Sequence, residues 1–353
     1  MKEIEVGSYA IFFGDSAYQK LRYRLHTSGY SKVFIAVDEN TQSLCLPYFL
    51  DRTDLSGCEI IPTQSGEENK TLGACIQVWQ MLTRMAADRK SLLLNLGGGV
   101  LTDIGGFAAT AFKRGIDFIH IPTTLLNMVD ASIGGKTGVN LGVLKNQIGV
   151  FSNPKMVLID SRYLQTLPDR EYRSGLAEMI KYGLSLDGAL YCELQAHQQF
   201  TAERRDSLIR RCAQLKTSVV RKDFRERGLR KVLNVGHSIG HAVEARFLER
   251  KEKLLHGEAI AVGLIAEAYL SYKLNYLEER ELVQVSGFIR SIYPKVQFEK
   301  KDFQSIKSQL KHDKKSLRGA LNFSLIRGIG GYALDVHVPE SLIGESLDYY
   351  QSL

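Results

Sequence analysis

Four residues with metal-binding side chains form the most specific chemical pattern in this sequence. His237 and His241 lie in NVGHSIGHAVE, and a spacing of four on a helix places both imidazoles on one face. His256 opens the apolar stretch HGEAIAVGL, and Glu178 lies in GLAEMIKYG. One carboxylate and two imidazoles, with the remaining coordination positions open, describe a catalytic zinc site. The sequence therefore predicts a metal centre, although any one histidine alone is better explained as a core or capping residue.

A glycine-rich turn predicts a second kind of chemistry, the binding of a dinucleotide. The apolar run LLLNL leads into Gly97, Gly98, Gly99 and Val100, and a segment with helical character follows. Glycines between a strand and a helix let backbone N–H groups approach a pyrophosphate, and the helix N-terminus favours its negative charge. Three glycines after a strand are more often an ordinary turn, so this interpretation depends on neighbouring residues.

Polar side chains follow the other predicted strands at the point where each strand ends. Open α/β sheets bind ligands at the carboxyl ends of their strands, where an acidic or amide side chain can meet a ribose hydroxyl. Each such residue is equally well explained as a turn or cap residue, but together they favour a nucleotide site. The residues are Asp38, Asn40, Glu67, Lys70, Thr123 and Thr124.

Three segments combine positive charge with glycine or amide residues. They are KRG at 113–115, DASIGGKTG at 130–138 and LKN at 144–146. Lysines with an arginine can hold a phosphate and a carboxylate. A solvated basic loop explains the same residues equally well. A Walker loop is excluded, because Asp130 stands where the earlier glycine is required.

The elements that must position these residues are of two kinds. Runs of strand-forming residues at 32–37, 59–61, 92–96, 118–121 and 156–159 alternate with helical stretches, which is typical of a parallel sheet covered on both faces. From Tyr172 onward apolar residues recur at spacings of three and four, which indicates helices. We therefore predict a Rossmann-like α/β domain that binds a nucleotide at residues 1–160, followed by an all-helical domain that binds metal and substrate at residues 161–353.

Composition narrows the class of protein. A chain of 353 residues with 44% hydrophobic and 24% charged residues is long enough for two cores. No run approaches the roughly 18 apolar residues of a membrane helix, and five cysteines without a CxxC pair fit free thiols in a reducing compartment. The net charge of +7 is spread along the chain and accompanies no nucleic-acid-binding motif. We expect a cytoplasmic protein that acts on a small anionic molecule, with neither nucleic acid nor membrane as a partner.

Six longer motifs resemble the 3-dehydroquinate synthase family of the sugar phosphate cyclases, in order between Asp38 and about Gly330. They are GGGVLTDIGGFAATAFKRGI, IPTTLLNMVDASIGGKTGVN, LKNQIGVF, TLPDREYRSGLAEMIKYG, LNVGHSIGHAVE and LHGEAIAVGL. Together they are highly specific. The resemblance implies a homodimeric phosphorus-oxygen lyase that uses NAD and a divalent metal, Zn²⁺ or alternatively Co²⁺.

The resemblance also implies roles for individual residues. Zinc would be bound by Glu178, His237 and His256. NAD would be held by Asp38, Asn40, Glu67, Lys70, Gly97, Gly98, Gly99, Val100, Asp103, Thr123, Thr124, Lys136 and Lys145. Catalysis and substrate binding would fall to Asp130, Lys136, Asn146, Lys181, Lys216, Arg230, Asn234, His241, Lys314 and Lys315, and Arg114 would reach into the partner subunit's site.

The implied reaction converts 3-deoxy-D-arabino-heptulosonate 7-phosphate to 3-dehydroquinate and phosphate, the second step of the shikimate pathway toward chorismate and the aromatic amino acids. Oxidation of the C5 alcohol by NAD, with the metal as Lewis acid, acidifies the C6 proton and permits β-elimination of phosphate. The hydride then returns to the substrate, and an intramolecular aldol closure completes the carbocycle.

The sequence departs from the family pattern at three places. Thr102 stands where the family often has glycine, Phe224 stands where a second acidic residue is common, and segment 247–253 is longer and more charged than usual. A β-branched side chain at Thr102 would weaken NAD binding modestly. None of the three departures removes a predicted ligand.

Other functions fit parts of the same pattern. A metal-dependent polyol or alcohol dehydrogenase of the same superfamily shares the glycine turn and the metal, but it would release NADH and has no evident need for the cationic residues. A related cyclase that uses another sugar phosphate stays open. A silent nucleotide-binding paralogue or a nucleic-acid scaffold fits less well, because the ligand set is complete and no base-stacking motif is present.

Overall fold

The chain forms two compact units. The computed structural model describes residues 3–142, 144–196, 201–248, 250, 253–313 and 321–353. The first unit comprises Met1–Pro168 with Arg205–Arg221, and the second comprises Asp169–Arg204 with Lys222–Leu353. The predicted boundary at residue 160 divides the chain only once. It therefore misses Arg205–Arg221, which belongs to the first unit although it follows part of the second unit in sequence. The assignment of separate functions to two domains stays a prediction.

The first unit is built on a mainly parallel sheet. Its strands are β1 (Ile4–Val6), β2 (Tyr9–Phe13), β3 (Val33–Val37), β4 (Glu59–Pro62), β5 (Leu92–Gly97), β6 (Asp117–Pro122), β7 (Lys136–Leu141), β8 (Leu144–Phe151) and β9 (Val157–Ile159). Within the described ranges, seven of them form one sheet in the order β1-β2-β9-β6-β5-β3-β4, and β7 and β8 form a separate hairpin. β1 and β2 are antiparallel, as are β7 and β8, and the other pairs are parallel.

Helices pack against this sheet, and their cover explains why the strands are apolar. They are α1 (Gly14–Thr27), α2 (Glu39–Leu44), α3 (Leu46–Thr53), α4 (Leu72–Arg84) and α5 (Gly99–Ala111), and a π-helical turn spans Asn127–Ala131. All six residues of β5 are buried, as expected for a central parallel strand with both faces covered. The five predicted strands and the parallel sheet are therefore confirmed.

The second unit is mostly helical, as predicted. Its helices are α6 (Asp169–Leu186), α7 (Gly188–Ala196), α9 (His237–Leu248), α10 (His256–Lys273), α11 (Glu279–Ile292), α12 (Lys300–Asp313) and α13 (Glu340–Ser352), whereas most of α8 (Ala202–Lys222) belongs to the first unit. α10 is buried on nearly all sides from Gly257 to Ala268 and packs against α6, α9, α11 and α13. An antiparallel hairpin of β10 (Leu321–Ile326) and β11 (Tyr332–Val338) adds strands that the helical spacing does not predict.

Among the described residues, no helix has both the length and the apolar character needed to cross a bilayer.

Candidate active site

Three predicted metal ligands of the second unit converge on one point. Glu178 lies in α6, and His237 and His256 are the first residues of α9 and α10. Glu178 Oε1 lies 3.4 Å from Nε2 of His237 and 3.3 Å from Nε2 of His256. The carboxylate is fully buried. A buried carboxylate and two imidazole nitrogens within 4.8 Å of one another suit a divalent metal with open coordination positions.

The outer nitrogen of each imidazole has its own partner. His237 Nδ1 lies 3.1 Å from the carbonyl oxygen of Val235, and His256 Nδ1 lies 3.4 Å from Oε2 of Glu244. Each partner is an acceptor, so each ring can donate its Nδ1–H outward, which leaves Nε2 as the nitrogen that a metal would bind. Metal-bound histidines are usually held in this way, and the arrangement therefore fits a metal.

Burial and neighbouring charges act differently on the two histidines. Burial lowers the pKa of His237 to about 3, even though the charge of Glu178 opposes this shift. Burial also disfavours the charged form of His256, but Glu244 and Glu178 outweigh it and raise the pKa to about 9. His237 is thus neutral near pH 7, whereas His256 must lose a proton when a metal binds.

The two helices that begin with the histidine ligands, α9 and α10, are in direct contact. Buried Glu267 of α10 accepts hydrogen bonds from the backbone N–H of Gly236 at 2.6 Å and of Ile239 at 3.0 Å. A Cβ atom at Gly263 would lie 1.9 Å from the carbonyl oxygen of Gly236. The start of α9 is therefore fixed against α10 by a carboxylate cap and by direct backbone packing.

Other predicted residues of the second unit lie beside the metal ligands or in the short helical segment Leu229–Asn234 that precedes α9. Lys181 is buried and pairs with Glu178, and the His241 ring centroid lies 5.0 Å from that of His237. Arg230 is 2% exposed and donates from Nη1 to the Phe224 carbonyl oxygen at 2.6 Å. That bond uses the backbone of Phe224, so it does not require an acidic side chain there.

Three further residues of this unit are predicted to bind the substrate. Asn234 donates from Nδ2 to Oε1 of Glu226 at 2.7 Å. Lys314 and Lys315 lie outside the described residues. Their assigned roles stay predictions.

In the first unit, the glycine turn joins β5 to α5 as predicted. Gly98 precedes α5, and no described side chain caps the helix N-terminus. A Cβ atom at Gly98 would meet Thr124 Cγ2 at 3.2 Å, and one at Gly99 would meet the Ala131 Cβ at 3.3 Å. Thr123 N–H donates to the Gly97 carbonyl oxygen at 3.0 Å. The predicted glycines and threonines therefore lie together at the carboxyl ends of β5 and β6.

Thr102, the first departure from the family pattern, is accommodated without a clash. It is 1% exposed, and its hydroxyl lies 3.1 Å from the Gly99 carbonyl oxygen and 3.2 Å from Asn127 Oδ1. Asn127 in turn donates to the Gly97 carbonyl oxygen at 2.9 Å. The threonine therefore belongs to the bonding that fixes the glycine turn.

Asp38 and Asn40 lie at the end of β3. Asp38 Oδ1 caps α2 by accepting from Thr41 N–H at 2.8 Å, and burial raises the pKa of its carboxyl group. Asn40 is exposed in the first turn of α2. Asp38 thus serves as a helix cap, and its role toward a ribose stays a prediction.

A buried lysine joins predicted cofactor and substrate residues. Lys70 Nζ lies 2.5 Å from Asp103 Oδ2 and 2.6 Å from Asn146 Oδ1. Lys145 Nζ lies 3.3 Å from Glu67 Oε1. Burial raises the pKa of Asp103, against the charge of Lys70. Residues from α5, β8 and the segment before α4 therefore form one polar cluster.

Three other predicted residues of the first unit are Lys216, Lys136 and Arg114. Lys216 of α8 is 5% exposed, and its Nζ lies 2.7 Å from the Asp130 carbonyl oxygen and 2.9 Å from Asp130 Oδ1. Lys136 is exposed at the start of β7. Arg114 is exposed with φ of +68°, directly after Lys113 with φ of +48°. Two consecutive non-glycine residues with positive φ are unusual and typical of functional turns.

Sequence reasoning missed several residues that support the site. Glu244 lies three residues after His241, so helical spacing places it near the histidine face. Asn127 and Asn140 lie within the quoted family motifs but carry no local signal of a ligand. Asn127 contacts Gly97, Asn140 contacts Glu67 and Glu244 contacts His256, whereas Glu267 contacts the backbone of Gly236, next to His237.

Comparisons with known proteins agree with this geometry. Residues 60–174 match the model of the 3-dehydroquinate synthase N-terminal family, and residues 175–316 match that of the C-terminal family. A curated 3-dehydroquinate synthase from Parabacteroides distasonis is 40% identical over 324 residues, which cover 91% of this chain and 92% of that protein.

Two solved structures are also similar over nearly the whole chain. A 2-deoxy-scyllo-inosose synthase complexed with carbaglucose-6-phosphate, NAD⁺ and Co²⁺ has a TM-score of 0.85 at 27% identity and covers 99% of both chains. The 2-epi-5-epi-valiolone synthase of Streptomyces hygroscopicus subsp. jinggangensis, with NAD⁺ and Zn²⁺ bound, has a TM-score of 0.85 at 28% identity and covers 100% of this chain and 99% of its own. With both family models matched in order along most of its length, the chain belongs to the 3-dehydroquinate synthase family.

Proposed function

We propose that this chain carries out the 3-dehydroquinate synthase reaction with the predicted site residues described above. The chain is a lyase that requires NAD and a divalent metal, and it converts 3-deoxy-D-arabino-heptulosonate 7-phosphate to 3-dehydroquinate and phosphate. The observation that carries the proposal is the meeting of Glu178 Oε1 with Nε2 of His237 and of His256 within 3.4 Å, in a chain that matches the family models from residue 60 to 316.

Glu178, His237 and His256 would hold the metal, which we propose to be Zn²⁺ with Co²⁺ as the alternative. The two similar cyclase structures contain Co²⁺ and Zn²⁺. When bound, a metal of this kind acts as a Lewis acid on a substrate hydroxyl. Lys181, paired with Glu178, and His241, beside His237, are placed to exchange protons with groups near the ligands.

The glycine turn and the polar cluster of the first unit would hold NAD, which takes up one hydride and gives it back. The uncapped N-terminus of α5 favours the pyrophosphate. Glu67, Asp103 and Lys145 would be among the residues that hold NAD. Because the hydride returns, NAD acts catalytically and is not consumed.

Cationic and amide side chains would hold the substrate anions. As the family resemblance implies, the phosphate would be stabilised as it leaves by β-elimination by Lys136, Asn146, Arg230 and Lys314 or Lys315. The leaving phosphate's own oxygens would help to remove the C6 proton. Asp130, oriented by Lys216, is a further proton-handling group.

The enzyme would act as a homodimer in the cytoplasm, in the shikimate pathway. Arg114 would extend from its positive-φ turn into the partner subunit's site. A small phosphorylated keto-sugar acid is the partner molecule that this charge pattern fits.

The test is to incubate the protein with Zn²⁺, a small amount of NAD and 3-deoxy-D-arabino-heptulosonate 7-phosphate, and to follow phosphate and NADH together. We expect phosphate in many-fold excess over NAD, with no lasting NADH. Stoichiometric NADH without phosphate would identify a dehydrogenase instead. Glucose 6-phosphate as a competing substrate distinguishes a related cyclase, which would release phosphate from it faster.

A matched pair of variants checks the metal site in the same assay. Glu178→Ala should abolish phosphate release while the fold is retained, because it removes the carboxylate shared by both histidines. Glu345→Ala, at an exposed position of α13, should keep the wild-type rate. Full activity of a metal-free Glu178→Ala protein would refute the ligand assignment.

A further inference from the structure

One amide side chain of the first unit connects two predicted ligand-binding residues that lie far apart in sequence. Asn140 Nδ2 donates to Glu67 Oε1 at 3.0 Å, and Asn140 Oδ1 accepts from the Asn146 backbone N–H at 2.9 Å. The Asn140 backbone N–H donates to the Lys70 carbonyl oxygen at 2.9 Å. Asn140 therefore uses both ends of its amide and its own backbone in the same cluster.

The local backbone explains why this side chain points into the cluster. The pairing of β7 with β8 shifts register between Val139 and Leu141, so Asn140 lies at a bulge. Bulges turn a side chain away from the regular alternation of a strand. Opposite the bulge, Asn146 has φ of +53°, a left-handed conformation that needs support in a residue other than glycine.

The chemistry of the neighbours fixes the orientation of the amide. A carboxylate oxygen accepts hydrogen bonds, so the NH₂ group must face Glu67, and a backbone N–H donates, so the oxygen must face Asn146. Asn140 has both groups in one side chain. An aspartate would keep the oxygen for Asn146 but would place a second negative charge against Glu67.

The contacts of Asn140 extend to the rest of the cluster. Glu67 Oε1 lies 3.3 Å from Lys145 Nζ, and Asn146 Oδ1 accepts from Lys70, which also pairs with Asp103. Lys70 and Asp103 side chains are 6% and 19% exposed. In such a shielded cluster the position of one carboxylate depends on its hydrogen-bond donors.

We infer that Asn140 is a positioning residue that orients the Glu67 carboxylate toward NAD with one end of its amide and fixes the Asn146 backbone for the substrate with the other. This rests on the proposed function, which gives Glu67 to NAD and Asn146 to the substrate. It extends that function by naming the residue that aligns the two sets of contacts.

Two substitutions separate the two ends of the amide. Asn140→Asp opposes Glu67 and keeps the contact with Asn146, so the Kd for NAD should rise about tenfold, while the KM for substrate changes less than twofold. Asn140→Ala removes both contacts and should raise both constants. NAD binding is measured by titration without substrate, so it tests the inference even if the proposed reaction fails. Asn153→Asp, at an amide that contacts Ser8, is the matched control and should bind NAD normally.

A double variant tests the contact itself. Glu67→Gln together with Asn140→Asp exchanges donor and acceptor, so it should bind NAD more tightly than Asn140→Asp alone, as a coupled pair does. A double variant that shows only the summed losses of the two single variants overturns the inference. An Asn140→Asp protein whose Kd for NAD lies within twofold of wild type also overturns the inference. Such a result would mean that Asn140 has only a structural role and does not position Glu67 for NAD.

Discussion

At the scale of single residues, the two imidazoles of the candidate metal site differ in what supports them. His237 donates to a neutral backbone carbonyl of Val235, whereas His256 faces the buried carboxylate of Glu244. A carboxylate behind a ligating histidine orients the ring and makes the metal-bound nitrogen more basic. Glu244 should therefore contribute to metal affinity without being a ligand in this arrangement.

The first prediction concerns that carboxylate. Glu244→Gln keeps the size of the side chain and removes its charge, so we expect metal affinity to fall roughly 10–100-fold. Competition between the protein and a chelator for Zn²⁺ measures the change, and the visible spectrum of Co²⁺-loaded protein reports whether the ligand set persists. Glu345→Gln, exposed on α13, is the control. Unchanged affinity in Glu244→Gln would show that the 3.4 Å contact has no influence on the metal.

At the scale of elements, the separation of α9 and α10 sets the distance between their first residues. Gly263 of α10 lies against the carbonyl of Gly236, and a Cβ atom there would also meet the Gly240 nitrogen at 2.7 Å. These neighbours are backbone atoms and cannot rotate away. The helices must separate if a side chain is added, and His237 moves with the start of α9.

The second prediction follows from that packing. Gly263→Ala should destabilise the second unit by about 1–3 kcal/mol, as overpacking typically does, and should weaken metal binding as well. Gly287→Ala is the matched control, because it also lies within a helix but, apart from its chain neighbours and the backbone of its own helix, no described atom lies within 4 Å of its Cβ position. That variant should be stabilised by roughly 0.5–1 kcal/mol. Urea unfolding and Zn²⁺ titration measure both effects, and equal behaviour of the two variants would contradict the argument.

At the scale of the whole molecule, acid stability depends on buried histidine. His120 lies in the central strand β6, is 3% exposed, and has Nδ1 3.3 Å from Asn95 Nδ2. Burial lowers the pKa of His120 to about 3. In the unfolded chain the same group titrates near pH 6.5, so between these values the unfolded state binds more protons. This contribution to stability is complete above about pH 6.5 and is lost as the pH falls toward 3.

The third prediction gives that dependence a magnitude. His120→Gln should lower the dependence of the unfolding free energy on pH by up to about 1.4 kcal/mol per pH unit below pH 6, since one proton fewer is taken up on unfolding. Denaturant unfolding at several pH values between 5 and 7 measures the slope. His26→Gln, at an exposed histidine of α1, should leave it unchanged. The same slope in His120→Gln and wild type would mean that His120 does not control acid stability.

The sequence alone determined the features that depend on local order. Five apolar runs predict five strands of one parallel sheet, since residues in the middle of a covered parallel sheet face apolar surroundings on both sides, although β4, at the sheet edge, is largely unburied. The glycines after β5 indicate the turn that leads into α5, and the spacing of His237 and His241 places them on one helix face. The family motifs name the metal ligands, which the structure then brings together.

Only the tertiary structure decided which hydrogen-bond and ion-pair partners contact those residues. Asn140 and Glu67 are 73 residues apart, Lys216 and Asp130 are 86 apart, and Glu178 and His256 are 78 apart. The hairpins β7–β8 and β10–β11 and the return of Arg205–Arg221 to the first unit were likewise beyond local patterns. A hydrogen bond depends on distance and direction in space, and sequence periodicity constrains these only within one helix or strand.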